Sequence, residues 1–215
     1  MARTLSGLGH DARIMAPMFV VPYRKNQKND GNDAEAICEA VARPNMRFVP
    51  VKSAEQQAIL VVHRVRAELV HSRVALINQV RSLLTEFGIT MAKGRYTFRH
   101  LIGGALGEDR LPELARQILA EVNARIQQLD KEILAYDRRI EALVRSNALM
   151  KRAAQVLGVG PITASAVVAT VGDAKLFKNS RQFAAWLGLV PRQFSTGGKA
   201  ILGRITKRGD VYLRT

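Results

Sequence analysis

The most regular signal in this chain is a recurrence of apolar residues every three or four positions through its middle, the interval that keeps side chains on one side of a helix. Ile59, Val62, Val65, Leu69, Leu76, Val80, Leu83 and Phe87 make the first such line, and Ser53-Ala-Glu-Gln56 ahead of it has the form of a capping box. A long helix is predicted from there to Phe87, stopped by Gly88. Ile118, Val122, Ile126, Leu129, Ile133, Tyr136, Ile140 and Leu143 make the second line, and it predicts a helix from Pro112 to the region of Met150. Its alternating threes and fours are those of a heptad seam. Residues 89–110 between the two lines are rich in glycine and read as a loop region with a short helix from Phe98 to Ile102. Two long amphipathic helices joined in this way predict an antiparallel coiled-coil hairpin. The apolar surface left over on it is expected to pair with a second copy of the chain. His63 and His71 fall within the first helix and are read as surface or interface groups.

Ahead of the long helices the pattern is shorter and mixed. Leu5 to His10 reads as the last turn of a helix with glycine stops, Ala12 to Ala16 as a short strand, and Met18 to Val21, between Pro17 and Pro22, as an extended piece. A polar loop from Tyr23 to Asn29 carries Arg24, Lys25 and Lys28. A helix then starts at Asp30-Gly-Asn-Asp33, where carboxylates satisfy orphan amide groups and complement the helix dipole. Residues three apart share a side of a helix, so Asp30 and Asp33 are also candidate ligands for a divalent cation. Cys38, the one cysteine, lies on an apolar side of this helix and reads as a small buried thiol.

Beyond the second long helix, Leu157-Gly158-Val-Gly160-Pro161 has the pattern of a helix-hairpin-helix, with proline opening the second helix. The exposed amide groups of such a turn can hold one DNA phosphate without reading sequence, which makes Gly158, Gly160 and Thr163 candidate contacts; an ordinary two-helix corner is the plainer alternative. A further helix is capped by Asn179 or Ser180, and its Phe183, Trp186 and Leu187 read as core. It leads into Ser195-Thr196-Gly197-Gly198-Lys199, followed by Arg204, Lys207 and Arg208. A hydroxyl pair beside two glycines and four cations suits close approach of a phosphate, and the conservative alternative is a flexible basic loop between helices.

Charge favours the phosphate. The 215 residues carry 33 Lys and Arg against 18 Asp and Glu, a formal charge of +15 and a pI near 10.7, while 47% of residues are apolar. That composition builds a core and calls for a polyanion outside it. No apolar run reaches the ~18 residues of a membrane span, no secretory leader is recognisable, and the lone cysteine excludes an internal disulfide. A cytosolic setting is expected.

The ordered set Lys28-Asn-Asp-Gly-Asn-Asp-Ala34, the long helices, Leu157-Gly-Val-Gly-Pro161, Ala185-Trp-Leu-Gly-Leu-Val-Pro-Arg-Gln193, Ser195-Thr-Gly-Gly-Lys199 and Ile205-Thr-Lys-Arg-Gly-Asp-Val-Tyr-Leu-Arg214 closely resembles the DEDD transposases of bacterial insertion sequences, recombinases guided by a bridge RNA. The resemblance implies a mainly α chain with a partial α/β, RuvC-like piece of RNase H fold over residues 1–50. A coiled-coil arm over 51–148 and a small helical domain with the helix-hairpin-helix and serine loop over 149–215 follow. It implies Asp30 and Asp33 as the last two of four carboxylates that bind Mg2+, the first two having no counterpart here. It also implies Ser195 as the nucleophile on DNA, with Thr196 the alternative, and Lys199, Arg204 and Lys207 as charge stabilisers. DNA, a guide RNA and a homodimer or larger homo-oligomer are the implied partners, at the bacterial nucleoid. On this resemblance the chain starts after half of the metal ligands and stops short of a last helical stretch, so weak or absent recombination with retained binding is expected. A non-catalytic, dimeric, basic DNA- or RNA-binding module is the alternative from another functional class.

Overall fold

The computed structural model describes every residue from Met1 to Arg214 except Asn26 and Lys28, so the Lys28 of the polar loop lies outside the described residues, as does Thr215. Helices dominate, and the chain divides into two compact units, Met1–Ala54 and Glu55–Thr215.

The first unit contains α1 (Ala2–Gly7), β1 (Ile14–Met15), α2 (Pro17–Val20), a 3-10 turn at Val21–Tyr23, α3 (Asp30–Val41) and β2 (Phe48–Val49). β1 and β2 form an antiparallel ladder with Ile14 opposite Val49 and Met15 opposite Phe48. The stretch from Met18 to Val21 is helical rather than extended, because Pro17 occupies the first helical position, where its fixed φ suits the turn. α3 turns Ala36 and Ala40 inward. Two residues along a helix is more than half a turn away, so Cys38 faces solvent and is not the buried thiol expected of it.

The second unit is built on α4 (Ala54–Glu86), α5 (Arg95–Leu106) and α6 (Glu113–Ser146). α4 and α6 run antiparallel, with Arg66 against Asp137 and Arg73 against Asp130. Around one end of this hairpin, Ile77, Val80 and Leu84 of α4, Phe98 and Ile102 of α5, and Leu119 and Ile126 of α6 form one core. Burying side chains of this size stabilises by about 1.5–3 kcal/mol each. The buried line on α4 is His63, Arg73, Ile77, Val80 and Leu84, turned by about one residue from the apolar line in the sequence. Val65 is exposed, and so is Ile118 of α6, whose place is taken by Leu119.

The second long helix ends at Ser146, short of Met150. Asn147 leaves helical geometry (φ −113°, ψ 119°) and its side chain accepts from the Met150 amide at 3.1 Å, which caps a new helix, α7 (Ala148–Ala154). α8 (Pro161–Val171) packs on α6 and α7 through small buried residues, Ala164, Ser165, Ala166 and Ala169. A 3-10 turn at Ala174–Leu176 leads to α9 (Ser180–Leu187), capped by Asn179, whose side chain accepts from the Gln182 amide at 3.0 Å. Gly188 to Asp210 is not a loop between helices. It forms β3 (Pro191–Thr196) and β4 (Lys199–Ile205), an antiparallel ribbon closed at Gly197-Gly198, before α10 (Val211–Arg214). Both glycines have positive φ, 56° and 80°, as the tight hairpin turns that match strand twist require.

Candidate nucleic-acid interface

The ribbon is held at its root by backbone meeting backbone. The Thr206 amide donates to Val190 O at 2.9 Å and the Lys207 amide to Gly188 O at 3.0 Å. A Cβ on Gly209 would stand 2.4 Å from the Leu187 carbonyl group, and one on Gly188 2.6 Å from the Arg208 amide nitrogen. Only glycine fits at either place. From this root the ribbon projects with all of β3 and β4 exposed.

Ser195 is two residues from the ribbon turn, paired across it with Ala200, and Thr196 pairs with Lys199. Ser195 Oγ accepts a hydrogen bond from Gln193 Nε2 at 2.8 Å. An amide donor holds a hydroxyl in place but takes no proton from it, so this contact positions Ser195 without activating it. Lys199 and Arg204 are exposed on the same ribbon, and Lys207 and Arg208 are exposed beyond it, Lys207 with φ 54°.

Charge in this region is one-sided. From Ala142 to Gly209 the chain carries eleven Lys and Arg and one carboxylate, Asp173. Gly158 and Gly160 lie on the exposed turn between α7 and α8, and Thr163 is exposed in the first turn of α8. Gly158 has φ 84°, Gly160 is the extended residue at the start of α8, and a Cβ at either would meet open space. The first amides of α8 have no acceptor within the helix, the arrangement that suits a phosphate.

Asp30 and Asp33 open α3, with the Asn29 side chain accepting from the Asn32 amide at 2.7 Å as the cap. Asp30 is exposed, and Asp33 lies 3.8 Å from the Arg24 guanidinium. Among the described residues no group of three or more His, Cys, Asp or Glu side chains is placed to hold a metal ion. Magnesium takes near-octahedral oxygen ligation, and two carboxylates, one facing an arginine, do not by themselves fit that demand.

A polar chain that the periodicity does not reveal runs through the second unit. His63 is buried rather than at the surface, with Nε2 3.0 Å from Ser165 Oγ and Nδ1 3.0 Å from the Tyr212 hydroxyl. Ser165 Oγ donates its single proton to Pro161 O at 2.8 Å. The proton between serine and imidazole is therefore on Nε2, and Nδ1 accepts from Tyr212. Burial first, and the nearby Arg66 second, push the His63 pKa down to about 4, in keeping with a neutral ring. Burial likewise raises the Tyr212 pKa, against the pull of Arg66. A serine beside a histidine invites a catalytic reading, but this serine is fully buried and bonded to the first turn of α8. The chain ties α10 and α4 to the turn that carries Gly158 and Gly160.

The sequence matches one class of protein, the transposases of insertion sequences. Residues 150–215 match the family model described as Transposase IS116/IS110/IS902 family, and residues 9–89 match a model described as Transposase, of the IS110 DEDD type. A Pseudomonas aeruginosa protein described as "Probable family 20 transposase" is 53% identical over 217 residues, covering 100% of this chain and 64% of its own length. The transposase for insertion sequence element IS1328 of Yersinia enterocolitica is 42% identical, with 100% and 64% covered. That for element IS1111A of Coxiella burnetii is 41% identical, with 99% and 59% covered. The chain belongs to the IS110/IS116 family of transposases. It spans about three-fifths of the length of the curated relatives it matches. Among the described residues no helix is long and apolar enough to cross a membrane.

Proposed function

We propose that this chain works on DNA in the movement of an insertion sequence, holding the duplex against the surface formed by residues 142–209 and presenting Ser195 to a phosphodiester. The single observation that carries this is the run of eleven cations against one carboxylate around an exposed serine. Lys199, Arg204, Lys207 and Arg208 neutralise backbone phosphates, and the turn at Gly158 and Gly160 acts as a helix-hairpin-helix with Thr163 at its edge.

In the chemical step Ser195 Oγ attacks phosphorus and forms a phosphoserine ester, one P–O bond breaks, and the displaced sugar oxygen leaves as a hydroxyl. Gln193 orients the nucleophile, and Lys199 and Arg204 stabilise charge on the pentavalent phosphorus. The serine proton passes to a base brought to the ribbon from outside it, because Gln193 only donates. Thr196 is the alternative hydroxyl. Residues 1–50 contribute a RuvC-like piece, in which Asp30 and Asp33 are this chain's share of a magnesium centre. With two carboxylates on offer, DNA binding by the isolated chain is stronger than its strand transfer. The hairpin of α4 and α6 is a coiled-coil arm that pairs with a second copy, and a structured guide RNA is the second polyanion.

The test is a phosphate-linked adduct. The unaltered chain is expected to shift duplex DNA in a gel and, with nicked or suicide substrates and magnesium, to leave a covalent complex that Ser195→Ala lacks. A second reading, a non-catalytic basic binding module, is favoured by the absence of a proton acceptor at Ser195 among the described residues. It predicts that Ser195→Ala and the unaltered chain behave alike in binding and that neither forms an adduct.

A further inference from the structure

Among the described residues the ribbon formed by β3 and β4 pairs with no third strand. Phe194 is 61% exposed, Ile201 60% and Leu202 64%, on strands whose every residue is exposed. Apolar side chains gathered on an isolated two-stranded ribbon mark a surface that something else covers, since such a ribbon is marginal alone. A sheet that packs on its own protein needs one open side; an element that enters a groove needs both.

We infer that the ribbon enters the major groove of duplex DNA tip first, an inference that rests on the DNA reading above. Charge chooses the occupant. Residues 174–209 hold eight Lys and Arg and no Asp or Glu, so the same ribbon on a second copy would repel this one, whereas a groove is walled by phosphates. Shape chooses the groove. The major groove is about 12 Å wide, enough for a two-stranded ribbon, and about 8.5 Å deep, while the minor groove is about half as wide. At about 3.4 Å per residue, that depth takes in the last pairs of the ribbon, Thr196 with Lys199, Ser195 with Ala200, and Phe194 with Ile201. Gly197 and Gly198 make the tip thin, and a Cβ at either would meet nothing in the protein, leaving the tip slender enough to reach base edges. Neighbouring pairs face opposite ways, so Ser195 faces one wall while Phe194 and Ile201 face the other and lie against its sugars.

The test uses the full chain and a short mixed-sequence duplex, with binding read by fluorescence anisotropy. Methyl green, which occupies the major groove, is expected to weaken binding about tenfold, and netropsin, which occupies the minor groove, to change it less than about twofold. The pair Phe194→Ser with Ile201→Ser is expected to weaken binding about fivefold with an unchanged salt slope, because no cation is lost. Indifference to methyl green overturns the inference even if the variant fails to fold. So does a folded variant that binds DNA like the unaltered chain while losing self-association, the mark of a second copy as occupant. Failure of the unaltered chain to bind duplex at all is a different result and overturns the DNA reading itself.

Discussion

The Arg73 guanidinium lies 2.8 Å from Asp130 Oδ1 inside the seam of the α4–α6 hairpin, with both side chains largely buried. Arg95 of α5 reaches the same carboxylate at 3.6 Å. One heptad back along α4 and one heptad on along α6, Arg66 meets Asp137 at 2.5 Å. Pairs that repeat by a heptad in opposite directions admit one register only, since a slip of either helix leaves charges buried without partners.

Asp130→Ala is therefore expected to cost about 3–5 kcal/mol, because it strands an arginine, while the double change Arg73→Met with Asp130→Leu is expected to recover most of that loss. Urea unfolding followed by circular dichroism measures both. Equal losses in the single and double variants would rule out an uncompensated charge as the cause.

His63 supplies a pH signature. Its pKa is lowered from 6.5 to about 4 in the folded chain, so the unfolded chain binds the proton more readily between those values. The neutral ring's contribution is complete above pH 6.5 and disappears as pH falls toward 4. The size is on the order of 3 kcal/mol, at about 1.4 kcal/mol per pKa unit. Unfolding curves at pH 7 and pH 4.5 show whether His63→Phe flattens this part of the profile, roughly two-thirds of which separates those two values.

The ribbon root tests backbone crowding. Gly209→Ala places a methyl 2.4 Å from the Leu187 carbonyl group and is expected to cost about 2–4 kcal/mol and to open the ribbon to protease. At Gly203 the nearest atom to an added methyl is a Phe194 ring carbon at 3.6 Å, so Gly203→Ala is expected to be within about 0.5 kcal/mol of the unaltered chain. Limited proteolysis with mass spectrometry distinguishes the two.

Cations on the ribbon are expected to act through phosphate. Lys199→Ala with Arg204→Ala should weaken binding similarly across DNA sequences and reduce the slope of log affinity against log salt by about 2. Anisotropy titrations at several salt concentrations read that slope, and a slope that stays put assigns the contacts elsewhere.

Much of this architecture is legible in the residues. Ile126, Leu129, Ile133 and Ile140 fall on the buried side of α6 as their spacing requires, and Pro161 opens α8 where the pattern places it. The seam of α4 is harder to read because His63 and Arg73 occupy buried positions, and a polar residue joins a seam only through partners far away in sequence. Asp130, Ser165 and Tyr212 are such partners. The ribbon is hidden for a related reason. Strand alternation shows when one side is wet and the other dry, and here both sides of Phe194, Ser195, Ile201 and Leu202 are open, so glycines and cations dominate the pattern. Asn147 could have been read as the end of the second long helix, being a strong cap residue, but the apolar spacing across it continues unbroken.

Where Leu187 passes Gly209, main chain rests on main chain, and no side chain of the ribbon takes part. The aim of the ribbon is thereby separated from its lettering: substitutions between Arg192 and Arg204 can retune what it touches without redirecting it. An engineer wishing to alter target choice in this chain would leave Gly188 and Gly209 alone and rewrite the residues they steer.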